Sequence, residues 1–242
     1  MKALIFNAGR GSRLGELTAH CPKGLVPLIH GDTLFSRQLR LLAAVGIHDV
    51  VLTTGYLGEQ FREAVQAQDE LGLRFQFADN PDYATSNSVL SMERAAHLLQ
   101  DDDFIVLHGD VVFDEVLLTQ LVAAPAANMA AVDATPPINE KDFKGRLCDG
   151  RVVDIAVDIH GKDCVNLMPL FKFSREAMAM WLEQVHAACT AGRTDIYAET
   201  ALRPVLAEMN LQPLSYAGHL LMEVDTREEL AYARAVLEEQ RL

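Results

Sequence analysis

The sequence predicts an α/β fold, a mostly parallel sheet with helices on both faces, and three observations carry that prediction. Short apolar runs, Leu4-Ile5-Phe6, Val50-Val51-Leu52 and Phe104-Ile105-Val106-Leu107, have the length and composition of buried strands. Segments with apolar residues at helical spacing lie between them, so strand and helix alternate through about residue 124. The first and third runs each empty into a glycine turn carrying charged residues, and in open parallel sheets ligands bind at such strand ends.

The first of these turns is Asn7-Ala8-Gly9-Arg10-Gly11-Ser12-Arg13-Leu14. Gly9 and Gly11 tolerate positive φ, so consecutive N–H groups from Ala8 to Ser12 are able to point at one anion. Arg13 adds a planar fork of donors suited to phosphate oxygens. Pro22-Lys23-Gly24-Leu25 then brings in a lysine on a stiff segment, followed by Pro27. Together these residues describe a cradle for a nucleoside triphosphate. A dinucleotide fingerprint would need glycine where Leu14 stands, and a Walker lysine would directly follow its last glycine. The two glycines alone are equally compatible with a plain strand-to-helix turn.

Next, Gly31-Asp32 reads as a turn before a helix whose Leu34, Phe35, Leu39, Leu42 and Val45 share a face, stopped by Gly46. After the second strand, a helix is expected over residues 58–68. Leu73, Phe75 and Phe77 alternate with Arg74 and Gln76 as in a half-exposed strand, closed by Asn80-Pro81. A helix over 88–99 precedes the third apolar run. Further on, strands are expected at 129–134, 152–157 and 165–173, the last two pairing with each other, and Pro136-Pro137 opens a polar excursion over 138–144. Ser174 caps a helix reaching about Ala191, with Gly192 after it. Residues 197–209 read as a helix kinked near Pro204, 211–216 as a strand, and Thr226 as the cap of a terminal helix. No linker divides the chain, so one domain is expected, with a nucleotide-binding part over 1–124, a smaller acceptor-binding part over 125–225 and a C-terminal helix over 226–242.

Composition narrows the function. A formal charge of −13 argues against nucleic acid, whose binding rests on a basic face. Cys21, Cys148, Cys164 and Cys189 are scattered without a C-x-x-C pair, so neither a zinc site nor a disulfide framework is indicated. No apolar run approaches a membrane span, and Met1-Lys2 leads into a strand rather than a signal-like block, so a cytoplasmic setting without membrane partners is expected. The histidines lack H-x-x-x-H spacing and no Ser nucleophile elbow is present, so hydrolase chemistry has no support. Arg10, Arg13 and Lys23 supply local positive charge in an acidic chain, and a divalent cation would offset more of the ligand's charge.

Gly9-x-Gly11-x-Arg13-Leu14, Leu17-Thr18 and Pro22-Lys23-x-Leu25-x-Pro27 together resemble the signature of the nucleotidyltransferases that make nucleotide-activated sugars and amino alcohols. The resemblance implies a Rossmann-like domain, and this chain departs from it in carrying Asn7 where alanine is usual. From the residues alone, Asp110 lies at a strand's C-terminal end and Asp225 just before a helix, so both are able to hold Mg²⁺ in one crevice or merely to start a turn and a helix. His108-Gly109-Asp110 resembles the family's L-x-G-D metal aspartate, and Glu223-Val224-Asp225 the segment supplying the second ligand. That E-x-D form is similar to the branches that activate phosphocholine and 2-aminoethylphosphonate with CTP.

Asn80-Pro81-x-Tyr83-x-Thr85-x-Asn87, with Ser91, resembles a segment of the same branches, although Ser86 separates Thr85 from Asn87 where the two usually adjoin. Thr85, Ser86 and Asn87 could read a pyrimidine edge, cap the helix after them, or do both. Asp195-x-Tyr197-x-Glu199 resembles the branches' D-x-Y-x-D/E segment, which implies Tyr197 and Glu199 at an acceptor's ammonium group. Residues 140–144 resemble their charged excursion, implying Asp142 on the amine and Lys144 on the phosphonate or phosphate; as a plain charge run they need no function. Ala198 stands where phosphocholine-activating relatives carry an aromatic, Trp181 reads as core, and Asp158 stands where a basic residue is usual, a departure from the sugar-phosphate pattern.

The expectation is a cytidylyltransferase that moves CMP from CTP to 2-aminoethylphosphonate or phosphocholine and releases pyrophosphate. Arg13 and Lys23 would be catalytic, Ala8, Gly9, Gly11, Ser12, Thr85, Ser86 and Asn87 would bind nucleotide, and Asp110 and Asp225 would hold Mg²⁺. Alternatives are a sugar-1-phosphate nucleotidylyltransferase and a non-catalytic nucleotide-binding module. A homodimer is compatible with either reading.

Overall fold

The computed structural model describes residues 1–135 and 137–240, so Pro136 of the Pro-Pro pair and the last two residues of the expected terminal helix lie outside the described residues. The first half runs β1 (Lys2–Asn7), α1 (Leu34–Ala44), β2 (Asp49–Thr54), α2 (Glu59–Gln66), β3 (Arg74–Asp79), α3 (Ser88–Ala95), β4 (Phe104–His108), β5 (Val111–Phe113) and α4 (Glu115–Ala123). The second half runs β6 (Met129–Asp133), β7 (Lys144–Cys148), β8 (Arg151–Ala156), β9 (Cys164–Phe173), α5 (Arg175–Thr190), α6 (Leu206–Met209), β10 (Gln212–Ser215), β11 (Leu221–Glu223) and α7 (Arg227–Glu239).

One sheet in the order β10-β6-β9-β4-β1-β2-β3 spans both halves, which makes the chain a single domain. β1 pairs in parallel with β2 and β4, as does β2 with β3 and β6 with β10. β9 alone runs antiparallel to both β4 and β6, and all ten of its residues are buried. A strand covered on both faces has no need to alternate, hence its run of Val165, Leu167, Met168, Leu170, Phe171 and Phe173. Two large apolar clusters fill the two sides of the sheet, one around Phe171, Phe173 and Trp181, the other around Phe35, Phe61 and Phe113. From β1 the chain crosses to β2 and β3 on one side and returns to β4 on the other. This reversal opens a crevice above the C-terminal ends of β1 and β4.

Three expectations are corrected. The segments at 152–157 and 165–173 do not pair with each other, because β7 lies between β8 and β9 and pairs with both. β7 was hidden by its polar composition, and Lys144, expected in the excursion, is its first residue. The helix expected over 197–209 is a 3-10 turn at Ala198–Leu202 and the four-residue α6, since Pro204 supplies no N–H to continue the ladder. The helix expected over 88–99 is regular only through Ala95 and tightens into a 3-10 turn at Ala96–Leu98. Ser174 and Thr226 are N-caps, Thr226 forming a reciprocal capping box with Glu229. Among the described residues no helix is long and apolar enough to cross a membrane.

Candidate active site

The crevice is floored by two turns, residues 7–13 after β1 and 108–110 after β4, and closed by residues 223–225 after β11. Asp110 and Asp225 meet because β5 and β11 are antiparallel, with Glu223 opposite Val111. The Val224 N–H donates to the Asp110 carbonyl at 3.0 Å, which carries the next residue, Asp225, to the same spot. Gln38, buried on α1, pins the β4 turn from below: its Nε2 donates to the carbonyls of His108 and Val111 at 2.9 and 2.8 Å. Gln38 reads as an ordinary helix residue in the sequence, and only tertiary packing reveals its task.

Lys23 enters between the two aspartates. Its Nζ donates to Asp110 Oδ2 and to Asp225 Oδ1, each at 2.5 Å, and Arg13 reaches Asp225 Oδ1 at 2.8 Å. Burial pulls the Lys23 pKa down, but the two carboxylates outweigh it and hold it above the ordinary lysine value. Burial likewise pushes Asp110 up, and Lys23 with His108 more than reverses this, leaving its pKa low. Gly11, at φ 66°, lets the lysine through: a Cβ there would lie 2.8 Å from the Lys23 Cβ. Gly9 faces open space, with nothing within 4 Å of the place a Cβ would occupy. Arg10 is not part of the cluster, its guanidinium lying over the Tyr56 ring at 5.4 Å.

Asn7 explains two further glycines. Its Oδ1 would be 1.9 Å from a Cβ on Gly109 and 2.4 Å from one on Gly24, so the amide wedges between the two turns. Its Nδ2 is buried without a hydrogen-bond partner among the described residues. Gly109→Ala is therefore expected to destabilise the protein by about 2 kcal/mol through overpacking, and Asn7→Ala in the same chain to restore most of that loss. Urea midpoints of the two single variants and the double variant measure this coupling.

Three adjoining cavities, all touching Asp110, surround the cluster. The central one is lined by Gly9, Gly11, Ser12, Arg13, Lys23 and Asp225. The second, between β1 and α3, is lined by Ala8, Gly9, Tyr83, Ser86, Asn87 and Ser88. Asn87 caps α3, its Oδ1 accepting the Ser88 N–H at 2.8 Å, and also faces this cavity. Thr85 does not line the cavity: its hydroxyl donates to the Asp82 carbonyl at 3.3 Å. Asn80 braces the region, donating to the hydroxyls of Ser86 and Ser91 at 3.1 and 3.0 Å.

The MobA-like NTP transferase domain family matches residues 3–241, that is, the sheet, the crevice and the terminal helix together. The chain belongs to this family. It is 39% identical over 138 residues to the CMP-5'-(3-aminopropyl)phosphonate synthase of Streptomyces rubellomurinus, a match covering 57% of this chain but only 21% of that protein. It is 24% identical over 241 residues to the choline-phosphate cytidylyltransferase of Streptococcus pneumoniae, covering 99% of this chain and all of that one, 100%. Among solved structures, the CTP:phosphocholine cytidylyltransferase of Streptococcus pneumoniae superposes with a TM-score of 0.77 at 22% identity over 98% of both chains, a likeness of fold.

The third cavity of this NTP transferase domain lies on the other side of Asp110, lined by Lys141, Asp142, Phe143, Tyr197, Glu223 and Asp225 among others. Burial, with repulsion from Asp225 and Glu229, raises the Asp142 pKa. Burial, with repulsion from Asp110 and Asp225, also raises that of Glu223 against the pull of His108. Tyr197 stands edge-on to Phe143 at 5.0 Å. Two expected acceptor residues are elsewhere. Lys144 is 1% exposed and its ammonium is held by the carbonyls of Asn139, Glu140 and Asp142, so it folds the 139–142 loop, while Lys141 lines the cavity. Glu199 is 0% exposed and accepts a hydrogen bond from His108 Nε2 at 2.8 Å instead of reaching the cavity. Ala198 is buried beneath Trp181, whose Nε1 donates to the Ala198 carbonyl, so its size does not form the cavity wall.

Two residues in the cavity walls were quoted in motifs but not expected as site residues, His108 and Glu223. With Asp110 they bring three potential ligand atoms within 4.8 Å of one another. Both His108 nitrogens already face carboxylates, Glu199 and Glu223, which commits the ring to hydrogen bonding. Burial lowers the His108 pKa, yet these two carboxylates hold it well above the ordinary histidine value. Asp110 and Asp225 fit a hard cation better. Asp110 Oδ1 is buried with no partner among the described residues, and the ammonium bridging the pair marks a point where positive charge is favoured.

Proposed function

We propose that this chain is a cytidylyltransferase that transfers CMP from CTP to a small amino-alkyl phosphonate or phosphate, with a primary amine such as 2-aminoethylphosphonate favoured over phosphocholine. The observation that carries the reading is the convergence of Arg13, Lys23, Asp110 and Asp225 in one crevice, beside a cavity that combines carboxylates with aromatic rings. The relatives named for CMP-phosphonate and choline-phosphate chemistry support it.

In this reading the N–H groups around Gly9, Gly11 and Ser12 cradle the triphosphate, with Arg13 on the β- and γ-phosphates and Lys23 on the α-phosphate. Ser86 and Asn87 face the base. The acceptor's anionic oxygen attacks the α-phosphorus in line. The new O–P bond forms as the bond to the bridging oxygen breaks, and pyrophosphate leaves with the electron pair. An anionic nucleophile needs no strong general base, so catalysis reduces to positioning and charge neutralisation. Asp110 and Asp225 would hold Mg²⁺, which when bound supplies charge neutralisation at the phosphates. On the acceptor side, a primary ammonium donates hydrogen bonds to Asp142 and Glu223 beside Tyr197, whereas a quaternary ammonium has no hydrogen to donate.

Released pyrophosphate, measured for CTP, UTP, GTP and dTTP against 2-aminoethylphosphonate, phosphocholine and glucose 1-phosphate, tests the proposal. Turnover is expected to be greatest for CTP with 2-aminoethylphosphonate. Preference for UTP, GTP or dTTP with the sugar phosphate would replace this reading with a sugar-nucleotide one, and CTP binding without turnover would make the chain a binding module.

A further inference from the structure

We propose that Glu199 and His108 form a buried positioning pair that sets Glu223 against the acceptor's ammonium and thereby governs which acceptors are selected. The inference rests on the amino-alkyl acceptor reading above. His108 closes β4 at the wall shared by the base-side and acceptor-side cavities. Its Nε2 lies 2.8 Å from Glu199 Oε1 and its Nδ1 3.4 Å from Glu223 Oε1, so the ring spans from the core to the pocket surface. Phe6 fixes the ring plane from the side, edge-on at 5.5 Å.

Glu199 is 0% exposed, its second oxygen has no partner among the described residues, and it cannot touch a ligand itself. A buried carboxylate with one partner is destabilising, and the single thing it holds is the imidazole. The imidazole in turn is the only basic side chain within ion-pair distance of Glu223 among the described residues, and it opposes the repulsion from Asp110 and Asp225 that would otherwise turn Glu223 away. One backbone turn delivers both a wall residue and the buried carboxylate behind the wall. Tyr197 and Glu199 flank Ala198, whose N–H donates to Ser88 Oγ at 2.8 Å, fastening the turn to the start of α3. Glu199 is thus a positioning residue acting through His108.

The test compares 2-aminoethylphosphonate with ethylphosphonate, which keeps the phosphonate and lacks the amine, using CTP and the full chain. Wild type is expected to favour the amine by about 10²-fold in kcat/KM, because a pocket built for a charged donor rejects its absence. Glu199→Leu is expected to cut that ratio at least ~10-fold, chiefly through the acceptor KM, with the KM for CTP changed less than about 2-fold. Glu199→Gln still accepts from His108 Nε2 and should keep the ratio within about 3-fold of wild type. If Glu199→Leu does not fold, His108→Asn, too short to span the two carboxylates, carries the same comparison. A folded Glu199→Leu or His108→Asn protein with the wild-type ratio overturns the positioning role and leaves the acceptor reading standing. Wild type indifferent to the amine overturns the acceptor reading, and this inference with it.

Discussion

Replacing Lys23 with alanine is expected to lower kcat at least ~10²-fold, the cost of removing one preorganised donor from a site where negative charge builds up. Lys23 is also the shared partner of Asp110 and Asp225, so its removal leaves two largely buried carboxylates facing each other, with Arg13 on Asp225 and His108 beside Asp110 as the remaining positive groups. Breaking such a pair costs about 2–3 kcal/mol when its members retain some solvent contact. The pH dependence has opposite signs in the two proteins. In wild type the Asp110 pKa is depressed, so its contribution to stability is present above the unfolded carboxylate value and is lost as pH falls through the depressed one. In Lys23→Ala the Asp110 carboxyl loses the ammonium while burial still pushes its pKa up, so the variant's penalty grows as Asp110 ionises with rising pH. The Tm gap between wild type and Lys23→Ala should therefore be wider at neutral pH than at about pH 4, by calorimetry. A gap that narrows with rising pH, or normal turnover, would remove Lys23 from the mechanism.

The second large effect is expected at Glu223. Glu223→Gln should lower kcat/KM for 2-aminoethylphosphonate by about 10- to 10²-fold, the worth of one charge-assisted hydrogen bond, and leave the KM for CTP within about 2-fold. Only the ionised carboxylate attracts an ammonium, and burial raises the Glu223 pKa. Wild-type kcat/KM for the amine should therefore climb as pH rises through that raised value, and the climb should shrink in Glu223→Gln to the part carried by Asp142, whose pKa is also raised. Steady-state kinetics across pH, with ethylphosphonate as the control, reads both effects. Equal losses for the two phosphonates would assign Glu223 to the shared phosphonate chemistry instead of to the amine.

The loop after β1 was legible because its residues are contiguous: Gly9, Gly11, Arg13 and Lys23 lie within 15 residues and line one cavity. The cavity lined by Asp142 and Tyr197 was not. Lys144 and Lys141 are equivalent in a charged stretch, and only the onset of β7 decides that Lys144 turns inward to the loop carbonyls while Lys141 lines the cavity. Glu199 follows Tyr197 by two residues, yet the 3-10 turn that carries it sends its carboxylate into the core. Thr85 and Asn87 are similarly close, and the cap at Asn87 turns one towards the cavity and leaves the other on Asp82.

The sequence by itself determined the alternating architecture, the glycine turn with its arginines after β1 and the residue types at both aspartate motifs, because strand burial, helix periodicity and turn chemistry are local properties. Only the tertiary structure decided that Asp110 and Asp225 share one ammonium, through the β5–β11 pairing, and that His108 links a buried glutamate to an exposed cavity wall. Those contacts join residues 87 to 202 positions apart, and no local pattern encodes such a meeting.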